Sequence, residues 1–237
     1  MNDQAATGNC MENRTVATRN FRAFFCRLAA TLAGVAGLLW LTGCESTGGG
    51  RYGPGAGHFD TVVVDAGHGG HDSGARSRTG SNEKVLALDT AKRLASILRR
   101  NGFRVIENRT GDYFVTLGNR VKASNSLSSS VFVSIHYNWA RRQGAHGIEV
   151  YYYSRRSARM AANVLREIVR VYPTDNRGIK QRGFYVLKNS RRPAILCELG
   201  FVSNPQDNKY VQSASVRQRL AEKIAAGIIA ERNGRNP

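Results

Sequence analysis

Short β-branched apolar runs that alternate with longer segments of helical periodicity leave this chain few ways to fold. Phe59–Asp65 (FDTVVVD) and Val131–Ile135 (VFVSI) are too short for buried helices and read as buried strands. Phe103–Glu107, Ile148–Tyr153, Phe184–Leu187 and Ala194–Leu199 read as further strands. From Asn82 onward, Val85, Leu88, Ala91, Leu94, Ala95 and Leu98 recur at three- and four-residue steps. That is an amphipathic helix, closed by Asn101-Gly102 in a left-handed cap. Further helices are predicted over Leu117–Asn125, Ala158–Val171 and Val216–Ala230, the last with Arg217, Arg219, Glu222 and Lys223 toward water. Such alternation implies an α/β fold: a single domain with a central, mainly parallel or mixed sheet flanked by helices.

That domain does not fill all 237 residues. Arg14, Arg19, Arg22 and Arg27 precede an uncharged run of 13 residues, Leu28–Trp40. A bilayer span needs about 20 apolar residues, so the run fits the apolar region of a signal peptide better than a membrane helix. Leu41-Thr42-Gly43-Cys44 follows directly and resembles a bacterial lipobox. The resemblance implies cleavage before Cys44 and lipidation of its thiol. A plain cleavable signal or an uncleaved anchor is the blander alternative. Residues 1–43 are thus expected to be a lipoprotein signal peptide, with Met1 or Met11 as the start. Residues 44–57 are expected to be a flexible Gly-rich tether, and 58–237 the folded domain. Glu45 is not the Asp associated with inner-membrane retention, which favours the periplasmic face of the outer membrane.

Lys and Arg number 35 against 17 Asp and Glu, a formal net charge of +18. A surface so basic attracts polyanions, among which charge does not choose: wall polymers, phospholipid or lipopolysaccharide surfaces, or nucleic acid. Export and the lack of a nucleic-acid-binding motif argue against the last. Arg141-Arg142, Arg155-Arg156 and Arg191-Arg192 are the basic pairs; solvated surface is their simplest reading. Cys10 and Cys26 lie in the leader and Cys44 in the lipobox, which leaves Cys197 alone, with no intrachain disulfide. In AILC it reads as a small core residue.

Candidate metal ligands sit beside predicted strand ends. His68 follows the first strand, His136 the third, and Glu83 opens the first long helix. Each has an ordinary explanation alone: a loop or core His, or a carboxylate favouring the helix dipole. Glu198 is less easily dismissed. It interrupts an apolar run between Cys197 and Leu199, and a carboxylate there needs a partner or a function.

Taken in order, DAGHGGHDSGA, SNEKVLALDTAKRLASIL, SIHYN and PAILCELGFVSN resemble the motifs of the zinc-dependent N-acetylmuramoyl-L-alanine amidases of the amidase-3 type. The resemblance runs from about Phe59 to Ile229. It implies one zinc ion on His68, Glu83 and His136, with Glu198 as the catalytic glutamate. Two imidazoles and a carboxylate leave a fourth position for water, as catalytic zinc sites do. The implied reaction cleaves the amide between N-acetylmuramic acid and L-alanine in peptidoglycan. Asn138 is a candidate hydrogen-bond donor to substrate, with capping as its alternative role. His58, His71 and His146 match no ligand and read as exposed loop residues. Other readings are a zinc peptidase of the wall and a non-enzymatic wall-binding lipoprotein. Some family members plug the site with a helix inserted after the strand that corresponds to Ile148–Tyr153. Here the next helix starts almost at once, so a monomer with an open site and no activator is expected.

Overall fold

A computed structural model describes residues 52–77 and 79–237. The signal peptide, Cys44 and most of the Gly-rich segment lie outside the described residues. Six strands, β1 (Thr61–Ala66), β2 (Arg104–Glu107), β3 (Ser130–Asn138), β4 (Ile148–Tyr152), β5 (Asn176–Gln181) and β6 (Ala194–Phe201), form one sheet in the order β2-β1-β3-β6-β4-β5. β2, β1, β3 and β6 are parallel, β4 runs antiparallel to β6, and β5 is parallel to β4. The sheet is therefore mixed, and the α/β expectation holds.

The helices are α1 (Glu83–Arg100), α2 (Leu117–Asn125), α3 (Ala158–Ile168), α4 (Tyr185–Lys188), α5 (Pro205–Val211) and α6 (Ala214–Arg232). Alternation along the strands sends side chains to two unlike faces. On one, Val62, Val64, Val133, Ile135, Ile195 and Cys197 join α1, α3 and α6 in the main core. On the other, Val63, Phe132 and Leu196 meet a thinner layer from α2 and α4. Toward the C-terminal ends of β1, β3 and β6 this second face turns polar, with Asp65, Ser134, His136 and Glu198 in register. Ligand sites of open α/β sheets lie at that end of the strands.

Three expectations are corrected. Phe184–Leu187 is not a strand: Phe184 and Tyr185 are exposed, and Val186 and Leu187 reach the second core from a single helical turn. The strand in this region lies earlier, at Asn176–Gln181, an edge strand too polar to read as one. Arg217 does not face water freely; its guanidinium pairs with Asp89 across the α1–α6 contact. The Gly-rich segment is also pinned at its end. Gly55 and Ala56 are buried, and the Ala56 N–H donates to Glu231 Oε1 at 2.6 Å. Glu231 is held in turn by Arg159 and Asn163.

α3 and α6 cross at Gly227, where a Cβ would stand 2.5 Å from the Val164 Cα and 2.8 Å from its nitrogen. Gly227→Ala gains up to about 1 kcal/mol of helix propensity. It also forces two backbones apart, and overpacking costs about 1–3 kcal/mol. The variant is expected to unfold at lower urea than the parent. An equal or higher midpoint would show that the two helices separate freely.

Candidate metal centre

β1 ends in a turn whose backbone is fixed from below. Arg120 is buried and donates to the carbonyls of Ala66 and His68 and to Asp65 Oδ1, at 2.7–2.8 Å. Arg109, also buried, donates to the carbonyls of Ala66, Gly67 and Lys84. Ser134 and Asn108 complete the shell of Asp65. The turn needs this support because His68 has φ 60°, a left-handed conformation that costs a non-glycine residue about 1–2 kcal/mol. The conformation brings the imidazole over the sheet end. There Nδ1 meets Asp72 Oδ2 at 2.8 Å, which orients the ring and leaves Nε2 pointing inward.

Glu83 stands in the first turn of α1, only 4% exposed. Its Oε2 accepts the Ala75 N–H at 2.7 Å and its Oε1 the Tyr137 N–H at 3.1 Å. Oε1 also lies 3.0 Å from His68 Nε2 and 2.8 Å from His136 Nδ1. Burial raises the Glu83 pKa, but the hydrogen bonds to His136 and His68 outweigh it and hold the carboxyl well below its usual range. Burial likewise depresses His68, and the bonds to Glu83 and Asp72 overcome it, so its pKa is raised. His136 comes from β3 itself, two residues before the strand's end. Its ring lies over Gly67, where a Cβ would stand 2.6 Å from Nδ1.

One donor atom from each of His68, Glu83 and His136 lies within 4.8 Å of the others. Two imidazole nitrogens and one carboxylate suit zinc, and they line an open cavity of about 750 Å³. Glu198 lines the same cavity, directly across from His136 in the β3–β6 register. Its Oε2 is buried with no hydrogen-bond partner among the described residues. Burial, then the charges of Glu83 and Glu149, push its pKa well above the ordinary carboxylate range. An orphaned carboxylate oxygen beside three convergent donors fits a site completed by a cation and water.

Asn138 also lines this cavity. Its Nδ2 donates to Glu149 Oε1 at 2.9 Å and its Oδ1 accepts the Trp139 N–H at 2.8 Å, leaving one amide hydrogen without a partner among the described residues. Glu149, 2% exposed, is compensated by Arg177, Lys180 and Tyr151. The remaining histidines stay out of the cluster. His58 and His71 are exposed, and the latter is tilted against the Phe114 ring with centroids 4.3 Å apart. His146 is half-buried rather than exposed, 3.5 Å from Asp175. Sequence reasoning missed Asp72, Arg109, Arg120 and Glu149. Asp72 had a readable signal, an acid four residues after a candidate ligand; the others are visible only in three dimensions.

Comparison with known proteins decides the family. The sequence profile described as N-acetylmuramoyl-L-alanine amidase matches residues 62–230. The chain belongs to this amidase family. The amidase is 36% identical over 172 residues to YqiI of Bacillus subtilis, covering 71% of this chain and 82% of that protein. It is 36% identical over 170 residues to the probable cell wall amidase LytH of Staphylococcus aureus, covering 71% of this chain but 57% of LytH. The catalytic domain of the amidase CwlV of Bacillus (Paenibacillus) polymyxa superposes with a TM-score of 0.69 at 34% identity, over 72% of this chain and 96% of that one. AmiC2 of Nostoc punctiforme gives 0.69 at 38% identity, over 71% and 94%. The protein is thus an N-acetylmuramoyl-L-alanine amidase, and peptidoglycan is its substrate.

Asp72 meets the far nitrogen of His68 through Oδ2 and accepts the Gly74 N–H on Oδ1 at 3.0 Å; Asn keeps the second acceptor, so Asp72→Asn should leave the fold intact while loosening the ring. Metal affinity is expected to fall about 10–100-fold, read by chelator competition with circular dichroism as control. Unchanged affinity would show that the turn alone fixes His68.

Proposed function

We propose that this amidase is a zinc enzyme in which His68, Glu83 and His136 hold the ion and Glu198 moves the proton. The observation that carries this reading is the partnerless Glu198 Oε2, set across from His136 in the cavity where the three donor atoms converge. Zinc, when bound, supplies Lewis-acid activation of water and of the lactyl carbonyl of muramic acid. Glu83 stays ionised and draws both imidazoles to one point; Asp72 fixes the tautomer of His68. Glu198, high in proton affinity and free of other partners, takes a proton from the attacking water as its oxygen bonds to the lactyl carbon. It passes that proton to the L-alanine nitrogen as the C–N bond breaks, which returns Glu198 to its starting form. Asn138 keeps one amide hydrogen to offer the substrate from the cavity wall.

We further propose that the chain is exported and lipidated at Cys44, and acts from the periplasmic face of the envelope, in the outer membrane. The uncharged 13-residue run and the lipobox-like Leu41–Cys44 support this. Between β4 and α3 only five residues, 153–157, intervene, which leaves no room there for a helix that could plug the cavity. The isolated enzyme should therefore digest peptidoglycan without an activator.

Glu198→Gln is expected to retain stoichiometric zinc and lose at least about 100-fold in turnover, the usual scale of proton-transfer catalysis. His68→Ala should lose the metal. Digested sacculi analysed by mass spectrometry should yield peptides beginning with L-alanine. A Glu198→Gln enzyme of normal rate, or products with the L-alanine–muramic bond intact, would defeat the mechanism.

A second outcome concerns stability. The folded pKa of Glu198 lies above its unfolded value, so its contribution is fully present below the unfolded pKa and lost as pH rises through the folded one. Glutamine suffers no such loss. Metal-free Glu198→Gln should exceed the metal-free parent in stability near pH 8 by about 1–3 kcal/mol, the cost of an unsatisfied buried group. The gain should vanish near pH 4. A gain that does not depend on pH would exclude this cause.

A further inference from the structure

The sheet has two ends of unlike charge. β1, β3 and β6 carry the metal cavity at their C-terminal ends, and their first residues, Thr61, Ser130 and Ala194, mark the opposite end. Nine residues of β3 at about 3.3 Å each separate the two by roughly 30 Å. Arg104 opens β2 beside Thr61, and Arg100 closes α1 just before it. Arg155 and Arg156 follow β4, which ends there because it runs antiparallel to β6. Arg182 follows β5 and donates its N–H to the Tyr152 carbonyl; Arg191 precedes β6. All six side chains are exposed, and among the described residues none pairs with a carboxylate. The acids at this end are Asp60, exposed, and Glu231, buried and neutralised by Arg159. At the cavity end exposed charge is mixed, with Asp112 and Asp175 alongside Arg141 and Arg142.

The N-terminal segment is fastened at the same arginine-rich end. Ala56 is tied to Glu231, Gly55 backs onto the Arg159 guanidinium, and Gly53 passes the carbonyl of Arg155. Eight residues, 45–52, separate Cys44 from Gly53, the first residue of this clamp. Fully extended they reach at most about 29 Å.

We infer that the arginine-rich end of the sheet is a docking surface for an anionic phospholipid membrane, which turns the metal cavity away from the bilayer and toward the wall. The orienting part rests on the proposed lipidation of Cys44; the charged contact does not. The lipobox resemblance implies a diacylglyceryl group on Cys44, and two acyl chains already give stable attachment, so the basic end sets how the domain lies rather than whether it is held. Each arginine near an anionic surface strengthens attachment roughly fivefold. A domain clamped by residues 53–56 has little freedom to present another side.

The test uses full-length protein purified from membranes and reconstituted into vesicles of phosphatidylglycerol and phosphatidylethanolamine, or of phosphatidylcholine alone. Trp139, at the cavity end, is the single tryptophan left once the leader is removed. A fluorophore on Arg156→Cys reports the other end. Headgroup spin-labelled lipid should quench the Arg156→Cys probe in anionic vesicles, much less in neutral ones, and Trp139 in neither. Reversing Arg104 and Arg191 to Glu beside that probe should erase its excess quenching in anionic vesicles and leave hydrolysis of soluble muropeptides unchanged. Quenching of Trp139 equal to that of the probe, or probe quenching indifferent to lipid charge, would overturn the inference. So would reversed arginines that cost binding to purified sacculi and leave the vesicle quenching as it was. Mass spectrometry of Cys44 separates the two ideas: an unmodified thiol ends the anchor reading, while flotation of the same protein still decides the docking surface.

Discussion

Glu83 puts a carboxylate into the first turn of α1 at a point almost closed to water, and the surroundings are arranged to keep it charged. Two backbone N–H groups, from Ala75 and Tyr137, and two imidazoles converge on it. Desolvation alone would protonate the group. The donors win, and that balance fixes where the 74–75 turn, β3 and the His68 loop sit relative to one another. The left-handed φ of His68 is tolerable for the same reason. Arg120 and Arg109 hold the carbonyls on either side of it, so the strain is shared with a buried network rather than borne by one turn.

The sheet divides this work between its two faces. The face under α1, α3 and α6 is almost wholly apolar and supplies the cohesion. The other is apolar only toward the arginine-rich end, and its remaining positions carry Asp65, Ser134, His136 and Glu198. Such a row is expensive on a buried sheet. It survives because α2 and α4 are short and leave the strand ends open to the cavity.

How legible this was in the sequence varied with how each residue earns its place. β1, β3 and β6 are buried on both faces, so their β-branched runs were plain, as was the apolar stripe of α1. β5 is an edge strand whose side chains, Arg177 and Lys180 among them, compensate Glu149; nothing apolar marks it. α4 misled because Phe184 and Tyr185 look like core and are instead exposed at the site's rim. α5 announced itself through Asn204 before Pro205, a cap followed by a proline at the first helical position, a signal easily passed over in a short segment. The metal donors were legible as residue types beside strand ends. That they converge was implied only by family motifs, because convergence depends on Arg109, Arg120 and Asp72, whose partners are largely backbone carbonyls and a distant ring nitrogen. Charge-neutral contacts of that kind leave no periodic trace.

Glu198 and Glu83 show why one cavity needs two differently treated carboxylates. Both are desolvated, and the charge of Glu83 raises the proton affinity of Glu198 through space. Glu83 is surrounded by donors and stays an anion fit to hold a cation. Glu198 lies within the same field with no donor on its buried oxygen among the described residues, so it keeps the capacity to gain and lose a proton. Exchanging the two environments would leave the same residue types in the same cavity with neither task served. Placement on the rigid end of the sheet, with β3 and β6 in direct register, is what keeps them from exchanging.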